Sequence, residues 1–411
     1  MKSDLANLMQ SKNVDALLVL GDTFHNPSMV YFSGVAHVSE AMLVLKQGNE
    51  PILYFNSMER DEAAQTGLET RSLNLFDFKK LFDESGENAL IARAKLINLV
   101  LADAEVSTGR VALYGRQEAG EALGLMDELR NINPALELIG EFSDTMLLKA
   151  RATKDADELE KMRDVGKRTL KIVDKVRNFL ASQKADGDLL VDDKGAAITV
   201  GRIKSLISLW LAEEGLDNPH NTIFAPGAEG GVPHSLGSTD AKIRLGQPIV
   251  FDIFPVDAGG GYFFDFTRTW CIGHVPDEVQ KLYDDVLSVY QTLMGEIKGG
   301  TACKPYQDRT CELFAAQGHP TVAEDPNIEI GYVHGLAHGL GLDVHEAPRF
   351  SRQATDQDML LPGAVVTVEP GLYYPDRGMG CRLEDAVVVL PDGNIEVLVP
   401  YPLDLIIELK S

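Results

Sequence analysis

The chain has 411 residues, 45% hydrophobic and 24% charged, with a formal net charge of −24. That length exceeds one ordinary core, so two domains are expected, and the apolar fraction excludes a disordered chain. The charge excludes the basic face that a nucleic-acid partner needs, and no apolar run reaches the ~18 residues of a membrane span.

In chain order, residues 4–10 read as a short polar helix. The runs VDALLVL (14–20), SMVYFSG (28–34), AMLVLKQ (41–47) and PILYF (51–55) read as strands, with Gly48 and Asn49 turning between the last two. Helical text covers 88–102, then a strand (111–115) and a helix (120–129). Residues 1–150 are therefore an α/β domain. The polar run at 149–157 marks the boundary, and residues 151–411 form the second domain. A long helix opens there, with Leu159, Met162, Val165, Thr169, Val173 and Val176 on one stripe behind an acidic first turn. A second helix spans 199–214, and a third spans 277–297. Strands are expected at 249–255, 261–270, 364–374 and 381–390.

Those last four strands each carry a carboxylate among β-branched and aromatic neighbours: Asp252, Asp265, Glu369 and Glu384. Burying a lone carboxylate is unfavourable unless it is paired or bound to metal. Asp252 and Asp265 stand thirteen residues apart across a Gly-rich turn, so a hairpin can hold them side by side. Asp257, at that turn, is read as solvated. The stretch VHGLAHGLGLDVHEAP adds His334, His338 and His345 in a setting where glycines argue for loop or strand edge, and His234 lies in another Gly/Pro-rich loop. Several carboxylates and one imidazole suit two divalent cations about 3.5–4 Å apart, with a water between them deprotonated near neutral pH. Histidines outside the ligand set are then free to steady an oxyanion. The four cysteines, Cys271, Cys303, Cys311 and Cys381, form no C-x-x-C pair and read as reduced thiols. With no basic-then-apolar leader at the start, a cytoplasmic location is the expectation.

In order and in combination, VPHS, FDIF…GYFFDFTRTW, HGLAHGLGLDVHE, VEPGLYYP and GCRLED resemble the pita-bread metallopeptidases, specifically the Xaa-Pro dipeptidase (prolidase) and aminopeptidase P branch. The resemblance implies an α+β protein: a C-terminal pita-bread (creatinase/aminopeptidase) domain preceded by a smaller creatinase-like α/β domain, to which residues 1–150 are more loosely similar. It implies two divalent ions, Mn or Co before Zn or Fe, held by Asp252, Asp265, His338, Glu369 and Glu384. Asp265 and Glu384 resemble the bridging ligands, and Glu369 the ligand that also handles the proton of the attacking water. His234 and His345 match histidines at the substrate carbonyl and leaving nitrogen, and His334 one lining the proline side. Tyr373 and Arg382 match substrate-side residues. The implied substrate is a small peptide with proline at its second position, and the implied assembly a homodimer, with no nucleic-acid or membrane partner. A metal-dependent lyase or hydrolase of a small non-peptide substrate is the alternative on the same fold. One departure is the thirteen-residue spacing of the two aspartates, usually eleven in this family. An even insertion preserves the face because strand side chains alternate, so Asp252 keeps the ligand role; a slipped register would offer Phe254, which binds no metal.

Overall fold

The computed structural model describes residues 3–142, 145–350 and 354–410. The chain divides into two compact units, Met1–Arg151 with Gly259–Gly261, and Ala152–Ala258 with Tyr262–Ser411.

The first unit is built on one six-stranded mixed sheet: β1 (Ala16–Gly21), β2 (Ala41–Lys46), β3 (Ile52–Phe55), β4 (Glu69–Ser72), β5 (Gly109–Gly115) and β6 (Leu136–Ile139). Its order is β4-β3-β2-β1-β5-β6. β1 lies antiparallel to β2 and parallel to β5. Both faces of β1 and β2 are buried, which is why their sequences run apolar without alternation. Leu18 and Val44 pack with the helix Ala89–Asp103 on one face, and Leu17 and Leu43 pack with Met29 and Leu147 on the other. The expected strand at 28–34 is instead the helix Pro27–Ser33. Pro27 presets the helical φ at the first turn, and the buried residues Met29, Val30 and Ser33 share one helical face rather than alternating.

The second unit opens with the helix Ala156–Ala181, whose N-terminus is closed by a capping box between Asp155 and Glu158. The stripe expected there is buried from Met162 to Val176, with Leu159 partly buried beside it. Helices follow at Val200–Glu213, capped by the Thr199 hydroxyl, and at Asp277–Glu296. A further helix, Lys304–Ala316, was not anticipated: its buried face mixes Gln307 and Thr310 with Cys311 and Phe314, so its apolar period is faint.

Two larger sheets carry most of the rest, beside three two-stranded ones, of which Gly371–Tyr374 with Met379–Arg382 bears Tyr373 and Arg382. One orders Ile223–Pro226, Ile249–Ile253, Phe266–Ile272 and Ile406–Ile407. The other orders Glu346–Arg349, His338–Gly339, Val365–Val368, Asp385–Val389 and Ile395–Val397. They are joined where the Glu384 N–H donates to the Thr267 carbonyl at 3.0 Å. Three expected strands are shorter than their apolar text. The 261–270 run is a strand only from Phe266; the 364–374 run is split at Glu369 and Pro370; the 381–390 run is split at Leu383 and Glu384. Each break falls at a candidate ligand. The reason is local: Pro370 cannot donate to a ladder, and the chain changes neighbours at these points, freeing a side chain from the regular pleat. Among the described residues, no helix is long and apolar enough to cross a membrane.

Candidate metal centre

Antiparallel pairing of Ile249–Ile253 with Phe266–Ile272 sets Asp252 opposite Thr267, with Asp265 one residue before the second strand begins. The expected hairpin therefore forms, and the two aspartates reach the same cavity. Asp257, expected at the turn, instead ends the short strand Val256–Asp257, where it is half-exposed and ion-paired with Arg168. His338 enters from a two-residue strand whose register shifts at Gly339. Glu369 follows Val365–Val368, held by its own N–H on the Leu336 carbonyl at 2.9 Å.

Asp265, His338 and Glu384 each offer a ligand atom, all within 4.8 Å of one another. His338 Nε2 is 3.6 Å from Asp265 Oδ2 and 3.4 Å from Glu369 Oε1. Its Nδ1 lies 3.1 Å from the Gly339 carbonyl, which can only accept, so the proton sits on Nδ1 and the Nε2 lone pair faces the carboxylates. Burial, then the neighbouring His345 ring at 4.3 Å, pushes the His338 pKa down to about 3, which keeps the ring neutral and suited to metal binding. Asp252 is buried, and its Oδ2 accepts from Arg382 Nη2 at 2.5 Å.

Electrostatically the group is unbalanced. Burial first, and then neighbouring carboxylates led by Glu384, raise Asp265 and Glu369 well above the usual carboxylate range. Burial and then Asp252 raise Glu384 to about 8. Four carboxylates face one guanidinium, that of Arg382. The Oδ1 atoms of Asp252 and Asp265 are buried without a hydrogen-bond partner. Unpaired buried oxygens are costly, and hard divalent cations take such ligands. The donor set thus fits metal ions.

Two residues missed in the sequence orient these ligands. The Thr267 hydroxyl donates to Glu384 Oε2 at 2.6 Å, and the Thr367 hydroxyl accepts from the His338 backbone N–H at 3.1 Å. Each stands two residues from a ligand (Asp265 and Glu369), a spacing that strand alternation puts on one face; that was the available signal. Behind Glu384, fully buried Arg268 donates to the Glu384 carbonyl at 2.7 Å, to Asp385, and to the Tyr401 and Pro402 carbonyls.

The substrate-side candidates form one directed chain. Arg382 Nη1 donates to the Tyr373 hydroxyl at 2.7 Å, and Tyr373 lies 2.9 Å from His334 Nε2. His334 Nδ1 must donate to the Gly335 carbonyl at 2.7 Å, so its Nε2 accepts the Tyr373 proton. Burial, then Arg382, hold His334 neutral, with its pKa down to about 3. His234, His334, His345 and Arg382 line the ligand cavity, which has a volume of about 640 Å³; buried Tyr373 stands behind Arg382 rather than in its wall. His220, Phe254 and Asp343 also line it and were not assigned a role from sequence.

The model of metallopeptidase family M24 matches residues 160–391, more than half of the chain. The chain belongs to metallopeptidase family M24. The creatinase/prolidase N-terminal domain model matches residues 2–133, so this M24 member has the two-domain α+β organisation, a pita-bread domain preceded by a creatinase-like one. It is 27% identical over 355 residues to the probable dipeptidase PepE of Mycobacterium tuberculosis, covering 86% of this chain and 82% of that one. It is 25% identical over 396 residues to the Xaa-Pro dipeptidase of Pyrococcus furiosus, covering 95% and 94%. The crystal structure of X-Pro aminopeptidase from Thermotoga maritima superposes with a TM-score of 0.75 at 25% identity, covering 96% and 98%. Membership of M24 implies divalent metal ions, and the Asp265–His338–Glu384 group is a candidate site for one.

Proposed function

We propose that this M24 peptidase hydrolyses the bond between a first residue and proline at the N-terminus of small peptides, with two divalent ions, Mn or Co first, in the Asp252–Glu384 cluster. The observation that carries this reading is the joining of the five candidate ligands, in one cavity, to the Arg382–Tyr373–His334 chain. The names of the Pyrococcus and Thermotoga relatives support the proline preference.

Asp252, Asp265, His338, Glu369 and Glu384 would hold the ions, whose four carboxylates offset two divalent charges. When bound, such ions supply Lewis acidity and an activated water. The protein's own groups do the rest. Glu369, partly open to the cavity, accepts the proton released from the attacking water. His234 and His345 stand at the cavity wall to donate to the developing oxyanion and to the leaving nitrogen. The prolyl nitrogen, like any amide nitrogen, leaves only as the protonated amine, which gives the second histidine its task of supplying that proton. Neutral His334, fixed by Tyr373, offers its ring face to the proline side. Arg382 orients Asp252 through their ion pair.

The test is hydrolysis of an Xaa-Pro dipeptide, an Xaa-Pro-Xaa tripeptide and their Ala-for-Pro counterparts, with Mn or Co and with chelator. Chelator-sensitive cleavage of the proline peptides supports the reading. The dipeptide alone would mark a dipeptidase and the tripeptide an aminopeptidase. Bound metal with no cleavage of any proline peptide would overturn it in favour of a lyase or hydrolase acting on a small non-peptide substrate.

A further inference from the structure

One fully buried ion pair lies outside the cavity lining. Lys154 Nζ donates to Glu346 Oε2 at 3.1 Å, with the two side chains 1% and 0% exposed. Taking two charges out of water is costly, and apolar residues of similar volume often hold a core as well, so stability alone does not account for the pair. Its surroundings do. Lys154 is set between regular elements: its N–H donates to the Gly363 carbonyl at 2.8 Å, Thr153 bridges Ala364 just before the strand Val365–Val368, and Asp155 caps the long helix. Glu346 faces a turn of irregular chain. Its Oε1 accepts from the backbone N–H of Leu342 at 2.9 Å and of Asp343 at 3.0 Å. Gly341 lies so close that any side chain there would collide with the Glu346 carboxylate. One carboxylate thus gathers residues 341–346, and that turn carries Asp343 and His345 to the cavity. The turn also reaches the candidate ligands on two sides. The His345 ring packs on His338 at 4.3 Å, and the Gly341 carbonyl accepts from the Phe263 N–H at 2.8 Å, two residues before Asp265.

We infer that Lys154 is a positioning residue: its ammonium fixes the Glu346 carboxylate, which clamps residues 341–346 and so sets the place of His345. The task given to His345 rests on the peptidase reading; the clamp rests on the geometry. Lys154 touches neither the cavity nor a candidate ligand, so its effect on the reaction passes through the turn. Without the ammonium, the buried carboxylate is left uncompensated and turns away from the two N–H groups it gathers. The turn then loses its common acceptor, and the His345 ring loses its fixed distance from His338.

The experiment compares the wild type, Lys154→Met, Lys154→Arg, His345→Ala and the double variant Lys154→Met/His345→Ala. Each is loaded with Mn, and kcat and KM are measured on one Xaa-Pro substrate, with backbone amide hydrogen exchange read by mass spectrometry. Lys154→Met should keep its Mn and lower kcat about 10- to 100-fold with KM changed by no more than about twofold, the pattern of a displaced group rather than of lost substrate binding. Lys154→Arg restores the charge and should return most of that rate. The double variant should be no slower than His345→Ala, since both changes act through one ring. Exchange should rise over residues 341–346 and stay unchanged over 381–389. Where Lys154→Met does not fold, Lys154→Gln, which keeps a neutral donor facing Glu346, carries the same comparisons. Losses that multiply in the double variant would overturn the inference. So would a Lys154→Met enzyme with a lowered melting temperature but a normal kcat per folded molecule, or unchanged exchange over 341–346. Failure of the wild type on every proline peptide would overturn the peptidase reading alone, and the exchange comparison then decides whether Lys154 holds the turn.

Discussion

The two units bury different kinds of side chain in their sheets. The inner strands of the first unit, β1 and β2, bury Ala16–Leu20 and Ala41–Leu45 with no charged group among them. The sheets of the second unit bury Asp252, Asp265, Arg268, Arg382, Glu384 and Asp385. A sheet that serves only as scaffold can be apolar on both faces, and its stability comes from area removed from water. A sheet that bears a metal centre must bury charge, and its geometry depends on every charge finding a partner. Stability and chemistry thus sit in separable places.

The sharpest way to break the comparison is to remove one ligand. Asp265→Ala or Glu384→Ala should abolish bound metal and lower kcat/KM by more than about 10³-fold, as expected when a Lewis acid is lost, while secondary structure by circular dichroism persists. Retained metal in either variant would refute the ligand assignment. Next, Leu18→Ala in the apolar sheet should destabilise the chain by about 2–5 kcal/mol with metal content and the peptidase activity of folded molecules unaltered. If this substitution also strips metal, the two units are not energetically separable.

His334→Ala should keep its metal and lose about 10²-fold in rate, the scale of a single positioned acid–base or polar group. Thr267→Val removes a hydroxyl from Glu384 at nearly constant volume and should weaken metal affinity about 10–100-fold by titration calorimetry. The smallest effect concerns pH. Glu384 in the metal-free chain is raised to about 8, so the folded state holds a proton that the unfolded chain releases near the ordinary carboxylate value of about 4.5. Its contribution to stability is present below that lower value and is lost as pH rises through about 8. The melting temperature of the metal-free protein should therefore fall between pH 5 and 8, and added Mn should raise it more at pH 8, where metal no longer competes with that proton. A Mn-induced gain independent of pH would show that the cluster carries no such proton.

How far the sequence anticipates this differs between features. The long helix was legible because its stripe and its acidic cap agree on one start. The candidate ligands stood out because a carboxylate inside apolar strand text is physically anomalous, and the structure brings them to one cavity. What stayed hidden depends on long-range contacts. Residues 28–34 have a β-rich composition, and only Pro27 hints at the helix they form. The helix Lys304–Ala316 buries Gln307, whose side-chain oxygen accepts from the Leu336 N–H, a partner 29 residues away that no local pattern announces. Thr267 and Thr367 look like ordinary strand residues until the sheets meet. The strand breaks at Asp265, Glu369 and Glu384 could not be placed because apolar text continues across them.

Arg268 gives the site a dependence in time. Its guanidinium holds the Glu384 carbonyl with one nitrogen and reaches the Tyr401 and Pro402 carbonyls with others, and the strand Ile406–Ile407 closes beside it. A nascent chain that has emerged only through Glu384 therefore has all five candidate ligands but not the segment that braces one of them. Metal capture would be completed only as residues 401–407 dock, so a chain stalled or clipped before Tyr401 should emerge folded in outline but slow to take up metal.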